Sequence, residues 1–139
     1  MTKVILAATV WLSIFSATLA ADRDTRVYEM RTYYAAAGKL DALNARFRDH
    51  TVTLFKKHGM TSVGYWVPLK DEQGAKNTLI YMLAHKSVEG AKASFDAFRQ
   101  DPDWVAARKA SEDKAGGSLT VKDGVKSVFM KATDYSPMR

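Results

Sequence analysis

Val27-Tyr28-Glu29-Met30-Arg31-Thr32-Tyr33-Tyr34 decides how the rest of this chain is read. Its side chains alternate in period two, which predicts a strand over about residues 26–34. Tyr28, Met30 and Thr32 point one way; Val27, Glu29, Arg31 and Tyr33 point the other. Neither set is plainly polar, so both faces of the strand need cover. After Gly38 the period changes. Leu40, Leu43, Phe47, Thr51, Leu54 and Phe55 fall on one helical stripe, with Arg46, Arg48, Asp49, Lys56 and Lys57 mostly outside it. The predicted helix runs from about Gly38 to His58. Gly59 ends it, and basic residues suit the negative end of its dipole.

Downstream segments follow in alternation. Residues 62–67 are rich in Val, Tyr and Trp and end at Pro68, the polar stretch 70–76 is a loop, and residues 77–85 form a second run of strand formers. The short connection argues an antiparallel hairpin. Ser87 caps a helix that turns Val88, Ala91, Phe95 and Phe98 inward. Asp101-Pro102-Asp103 starts a short third helix, an acidic cap followed by proline in the first turn, that buries Trp104 and Val105. Gly116-Gly117 stops it, and residues 124–133 supply the last strand. The order is βαββαβ, a ferredoxin-like α+β domain with an antiparallel sheet and helices on one face. The bare face carries Val, Leu, Tyr and Met. Two such sheets packed face to face would cover it, so a homodimer closed into an α+β barrel is expected.

Composition narrows the class. The chain has 139 residues, a formal net charge of +6 and no cysteine. One domain fits that length, and disulfides, thiolate chemistry and Cys-based metal sites are excluded. Acids interleave with the bases, so no arm for nucleic acid is present and none is expected as a partner. Met1-Thr2-Lys3 begins a short basic region, Val4 to Ala20 is apolar or small, and small residues precede Asp22. That pattern predicts a secretory signal peptide over residues 1–21, cleaved after Ala20 or Ala21, rather than a retained membrane anchor. The mature domain then spans residues 22–139, periplasmic or secreted and without stable membrane insertion. Absence of cysteine favours a bacterial periplasm.

With the elements placed, Tyr28-Glu29-Met30-Arg31-Thr32-Tyr33 resembles the opening Y-E-[LM]-R-x-Y strand of the NIPSNAP family. Gly38-Lys39-Leu40, Val63-Gly64-Tyr65-Trp66 and Asn77-Thr78-Leu79-Ile80-Tyr81 are similar to its next landmarks, and Asp101-Pro102-Asp103-Trp104 to its D-P-x-W corner. The resemblance runs from about Val27 to Met130. It implies the dimeric α+β barrel superfamily, which also holds small cofactor-free monooxygenases, haem-handling enzymes and muconolactone isomerase-like proteins. Eukaryotic family members are linked to mitochondria and protein interactions. The signal peptide departs from that setting, so those partners are not carried over, and the family supplies a fold more than a function.

Candidate site residues follow from the same pattern. Glu29 and Arg31 share a face with Tyr33, either as a base and an anion holder or as a structural ion pair. His50 falls on or beside the buried helical stripe and reads as a base, a ligand or a hydrogen-bonded core histidine. His58 reads as a helix-end residue and His85 as a strand-end one. Tyr65, Trp66, Tyr81 and Trp104 form an aromatic set that lines a pocket or fills the core. No His-x-x-x-His spacing occurs, so neither a metal nor another cofactor is expected. The expected function is binding of a small organic ligand between sheet and helices by Glu29, Arg31, His50, Tyr65 and Tyr81. The rivals are a cofactor-independent monooxygenase or isomerase, with Glu29 or His50 as catalytic base, and a non-enzymatic protein-interaction module.

Overall fold

The computed structural model describes residues 26–138, so the signal-peptide reading lies outside the described residues. Strands β1 (Val27–Ala35), β2 (Thr61–Trp66), β3 (Thr78–His85) and β4 (Thr120–Lys131) form one sheet in the order β2-β3-β1-β4. Every neighbouring pair is antiparallel. The predicted hairpin is β2–β3, and β4 starts four residues earlier than its pattern announced. Asp123, at φ 55°, marks its irregular entry. Gly64 lies where β2 slips register on β3, under the Trp66 ring: a Cβ there would stand 2.5 Å from that ring.

The long first helix is not uniform. It runs as α1 (Leu40–Arg46), a π-turn (Phe47–Thr51) and α2 (Val52–Lys57), then stops at Gly59 with φ 75°. The Val52 amide donates to the Phe47 carbonyl five residues back, the π pitch, and the Thr51 hydroxyl donates to the Arg46 carbonyl at 3.2 Å. The stripe from Leu40 to Phe55 is buried as read, but Arg46 joins it. Helix α3 (Val88–Gln100) is capped by the Ser87 hydroxyl, which accepts from the Gly90 amide at 2.9 Å. Helix α4 (Pro102–Lys114) is capped by Asp101 and is as long as α3 rather than short.

Two inward assignments are corrected. Val88 and Val105 are exposed, because Ala91, Phe95 and Phe98 occupy the inner stripe of α3 and Ala107 that of α4. Leu43, Phe47, Leu54, Phe55, Phe95 and Phe98 pack on the face that carries Leu79, Tyr81 and Leu83. The opposite face presents Met30, Ile80, Met82, Trp66 and Val128, by the strand register, with Tyr28 and Ala84 of the same face buried, and the helices' buried residues pack on the other side. Trp66 and Val128 are 50% and 51% exposed.

Candidate functional site

Alternation along β1 sends Glu29, Arg31 and Tyr33 to the helix-covered face, as read from the sequence. The register then sets Leu83 beside Glu29 on one side and Phe129 on the other, so His85 and Ser127 become its diagonal neighbours. The carboxylate, 1% exposed, is fully engaged. Arg31 Nη1 donates to Oε1 at 2.5 Å, Ser127 Oγ donates to the same oxygen at 2.6 Å, and His85 Nε2 lies 3.0 Å from Oε2. A carboxylate only accepts, so the facing His85 nitrogen carries the hydrogen. Burial alone would raise the Glu29 pKa. The hydrogen bonds from His85 and Ser127 and the charge of Arg31 outweigh it and bring it down to about 2.

The Arg31 guanidinium lies 4.3 Å from the Phe95 ring centre, and its Nε makes no hydrogen bond. Burial opposes its charge, but the neighbouring Tyr81, Tyr33 and Glu29 outweigh that and hold it ionised. Glu29 is therefore an anionic anchor for Arg31 and His85. A group that is already ionised and saturated is a poor proton acceptor at neutral pH.

The linkage sign is direct. A carboxyl held near 2 against an ordinary 4.5 contributes stability above the unfolded value and loses it as pH falls through about 2, on the order of 3 kcal/mol in all. Asp101, held low by Lys57 and His58, acts on the same acid limb. Urea midpoints between pH 5 and pH 2 should accordingly fall more steeply for the wild type than for Glu29→Gln. Parallel curves would show that Glu29 is not the depressed group.

Of the aromatic set Tyr81 is core, with Tyr65 and Trp104 packed against that core, and Trp66 is exposed. Tyr81 is fully buried, with Tyr65 stacked on it at 5.5 Å and Phe47, Tyr33 and Phe55 at 5.2, 5.3 and 5.8 Å. Burial pushes the Tyr81 phenol well above its ordinary pKa, and its hydroxyl donates to that of Tyr33 at 3.2 Å. Packed rings thus occupy the space between sheet and helices where a ligand was expected. Trp66 lies on the other face, and Trp104 packs on Phe98 at 4.5 Å.

His50 is corrected in position. It sits on the π-turn, where Phe47 and Thr51 take the inward directions, and it is exposed. It lines a cleft of about 510 Å3 between the α1–π-turn segment and α4. Arg46, also on that cleft, was passed over in the sequence. Its side chain is 5% exposed, 5.2 Å from the Trp104 ring centre and 3.6 Å from the Glu112 carboxylate, beyond hydrogen-bond range. Its Nε has no hydrogen-bond partner, a cost of about 1–3 kcal/mol, and its Nη1 keeps only the long ion pair to Glu112. Burial lowers its pKa, offset in part by Glu112. His58 is the helix-end residue expected, bonded to Asp101 at 2.6 Å, whereas His85 is buried within the Glu29 network. Among the described residues, no three His, Asp or Glu side chains gather as metal ligands.

The fold and this buried polar network define an antiparallel ferredoxin-like α+β domain. The NIPSNAP family model matches residues 28–137, most of the chain, and the protein belongs to the NIPSNAP family. A comparison with curated protein sequences finds no match. Among solved structures, the chain is similar to a NIPSNAP family protein with unknown function from Agrobacterium tumefaciens strain C58. That pair shares 23% identity over 84% of this chain and 96% of that one, with a TM-score of 0.67. A NIPSNAP-like domain protein from Burkholderia xenovorans gives 13% identity, 81% and 90% coverage and a TM-score of 0.66. SnoaB, a cofactor-independent oxygenase from Streptomyces nogalater, gives 12% identity, 81% and 98% coverage and a TM-score of 0.50. At these identities the likeness is one of fold.

Proposed function

We propose that this NIPSNAP domain is an exported, homodimeric ligand-binding protein that does not use Glu29 as a catalytic base. The observation that carries the reading is the Glu29 carboxylate, saturated by Arg31, Ser127 and His85 and held near 2. The fold likeness to SnoaB brings no catalytic residue to this chain, and His50, the other candidate base, is exposed on a helix cleft whose lining does not include Glu29. The rings packed around Tyr81 support placing the ligand outside the sheet–helix interior. A surface that recognises another protein is the neighbouring reading, favoured by the same filled interior.

The face turned away from the helices supports the homodimer. Met30, Ile80, Met82, Trp66 and Val128 form an apolar surface at the centre of the sheet, and a second copy covers it by the same residues. Light scattering should give twice the monomer mass for the wild type and the monomer mass for Met82→Lys, which places a charge at that centre. A folded wild-type monomer sinks the barrel. Native mass spectrometry of protein taken from its own compartment tests the rest. It should find a processed N-terminus and a dimer that retains a small organic molecule; an unprocessed chain with no adduct counts against export and ligand binding.

A further inference from the structure

We infer that the cleft between the α1–π-turn segment and α4 binds a small organic monocarboxylate, with its carboxylate on the Arg46 guanidinium. The inference rests on the domain being a binder and adds the place and the chemistry. It does not depend on the dimer.

Arg46 is the reason. A permanently charged guanidinium is buried beside a cavity, its Nε without a hydrogen-bond partner and its Nη1 held only by the long ion pair to Glu112. That pair spans 3.6 Å from Nη1 and is shared, since the same carboxylate oxygen takes Arg108 at 3.2 Å. A carboxylate in the cleft meets the guanidinium where it lines the wall and adds to the single shared charge of Glu112. The Trp104 ring holds the guanidinium from one side, so the group is preorganised. The π-turn directly after Arg46 keeps the helix in place: the Thr51 hydroxyl closes the Arg46 carbonyl, and π-turns of this kind recur at binding sites.

The rest of the lining sets the ligand's shape and charge. Ala42, Ala45, Ala107 and Ala110 wall the cleft, and their small side chains leave the volume open for an apolar body. About 510 Å3 suits a compact organic acid. Lys114 and His50 add polar groups, while the Ser111 hydroxyl is already committed to the Arg108 carbonyl at 2.8 Å. Asp41 and Asp49 also line the cleft. A second negative charge on the ligand meets these carboxylates, which selects against phosphates and dicarboxylates.

Titration calorimetry of the purified protein with hexanoate and benzoate tests this, with hexanamide and inorganic phosphate as controls. At least one carboxylate should saturate at one per chain, with no heat from hexanamide or phosphate. Arg46→Met should weaken that binding at least about tenfold. Ala110→Phe, which fills the cleft from an exposed position on α4, should abolish it at an unchanged melting temperature. The inference is overturned if neither acid binds, if hexanamide binds as well as hexanoate, or if binding survives Ala110→Phe. Should Arg46→Met not fold, Ala110→Phe decides alone. A negative result here leaves the dimer and Glu29 arguments standing, because light scattering and acid unfolding test those separately.

Discussion

Replacing Glu29 by alanine is expected to destabilise the domain by about 3–5 kcal/mol, the usual result of removing one partner from a buried ion pair. The cost comes from what is left behind. Arg31 keeps a charge under Phe95 with its Nε already unpaired, and His85 and Ser127 lose their acceptor. For a domain of this size the melting midpoint should fall by more than about 12 °C. The double variant Glu29→Ala, Arg31→Met should recover part of the loss, since no arginine charge is then stranded, and with Arg31→Met alone it closes the cycle that gives the coupling. The sign also bears on function. A carboxylate kept strained for catalysis often raises stability when it is removed. A more stable Glu29→Ala would therefore overturn the anchor reading and return Glu29 to the list of bases.

Phe55→Ala should cost a similar 3–5 kcal/mol, by a different mechanism. Phe55 is 1% exposed and ties together both halves of the helical layer, with ring centres 6.1 Å from Phe47, 5.7 Å from Phe95 and 5.0 Å from Phe98. It also meets Tyr81 on the sheet. Removing the ring opens an apolar void that its close-packed neighbours can only partly collapse into. The variant should then bind benzene in that void, and the wild type should not. Urea unfolding gives the first quantity and benzene-induced shifts in melting temperature the second. If wild-type protein already takes up benzene there, the interior is open and the barrel-interior ligand site revives.

The comparison of sequence with structure turns on distance along the chain. Glu29, Arg31 and Tyr33 on one face were legible, because strand alternation is local. Their partners were not: His85 and Ser127 come from 56 and 98 residues away. The register of three strands makes them neighbours, and no period in the sequence encodes that register. His50 was misplaced for a related reason. Counting at 3.6 residues per turn puts it by the buried stripe. The wider π-turn gives the inward directions to Phe47 and Thr51 and leaves His50 on the outer cleft. Arg46 shows the same limit, since a basic residue in a helix reads as solvated until a neighbouring helix covers it.

By itself, the sequence determined the order βαββαβ, the antiparallel hairpin and the capped starts of α3 and α4, because periodicity, caps and glycine stops act over a few residues, while the family came from the resemblance of its short motifs. Only the tertiary structure decided that Glu29 is an anchor, that Tyr81 is core with Tyr65 packed against it and that Arg46 lies buried beside a cleft with its Nε unpaired. Those outcomes depend on which distant side chains share a low-dielectric space, and folding alone sets that.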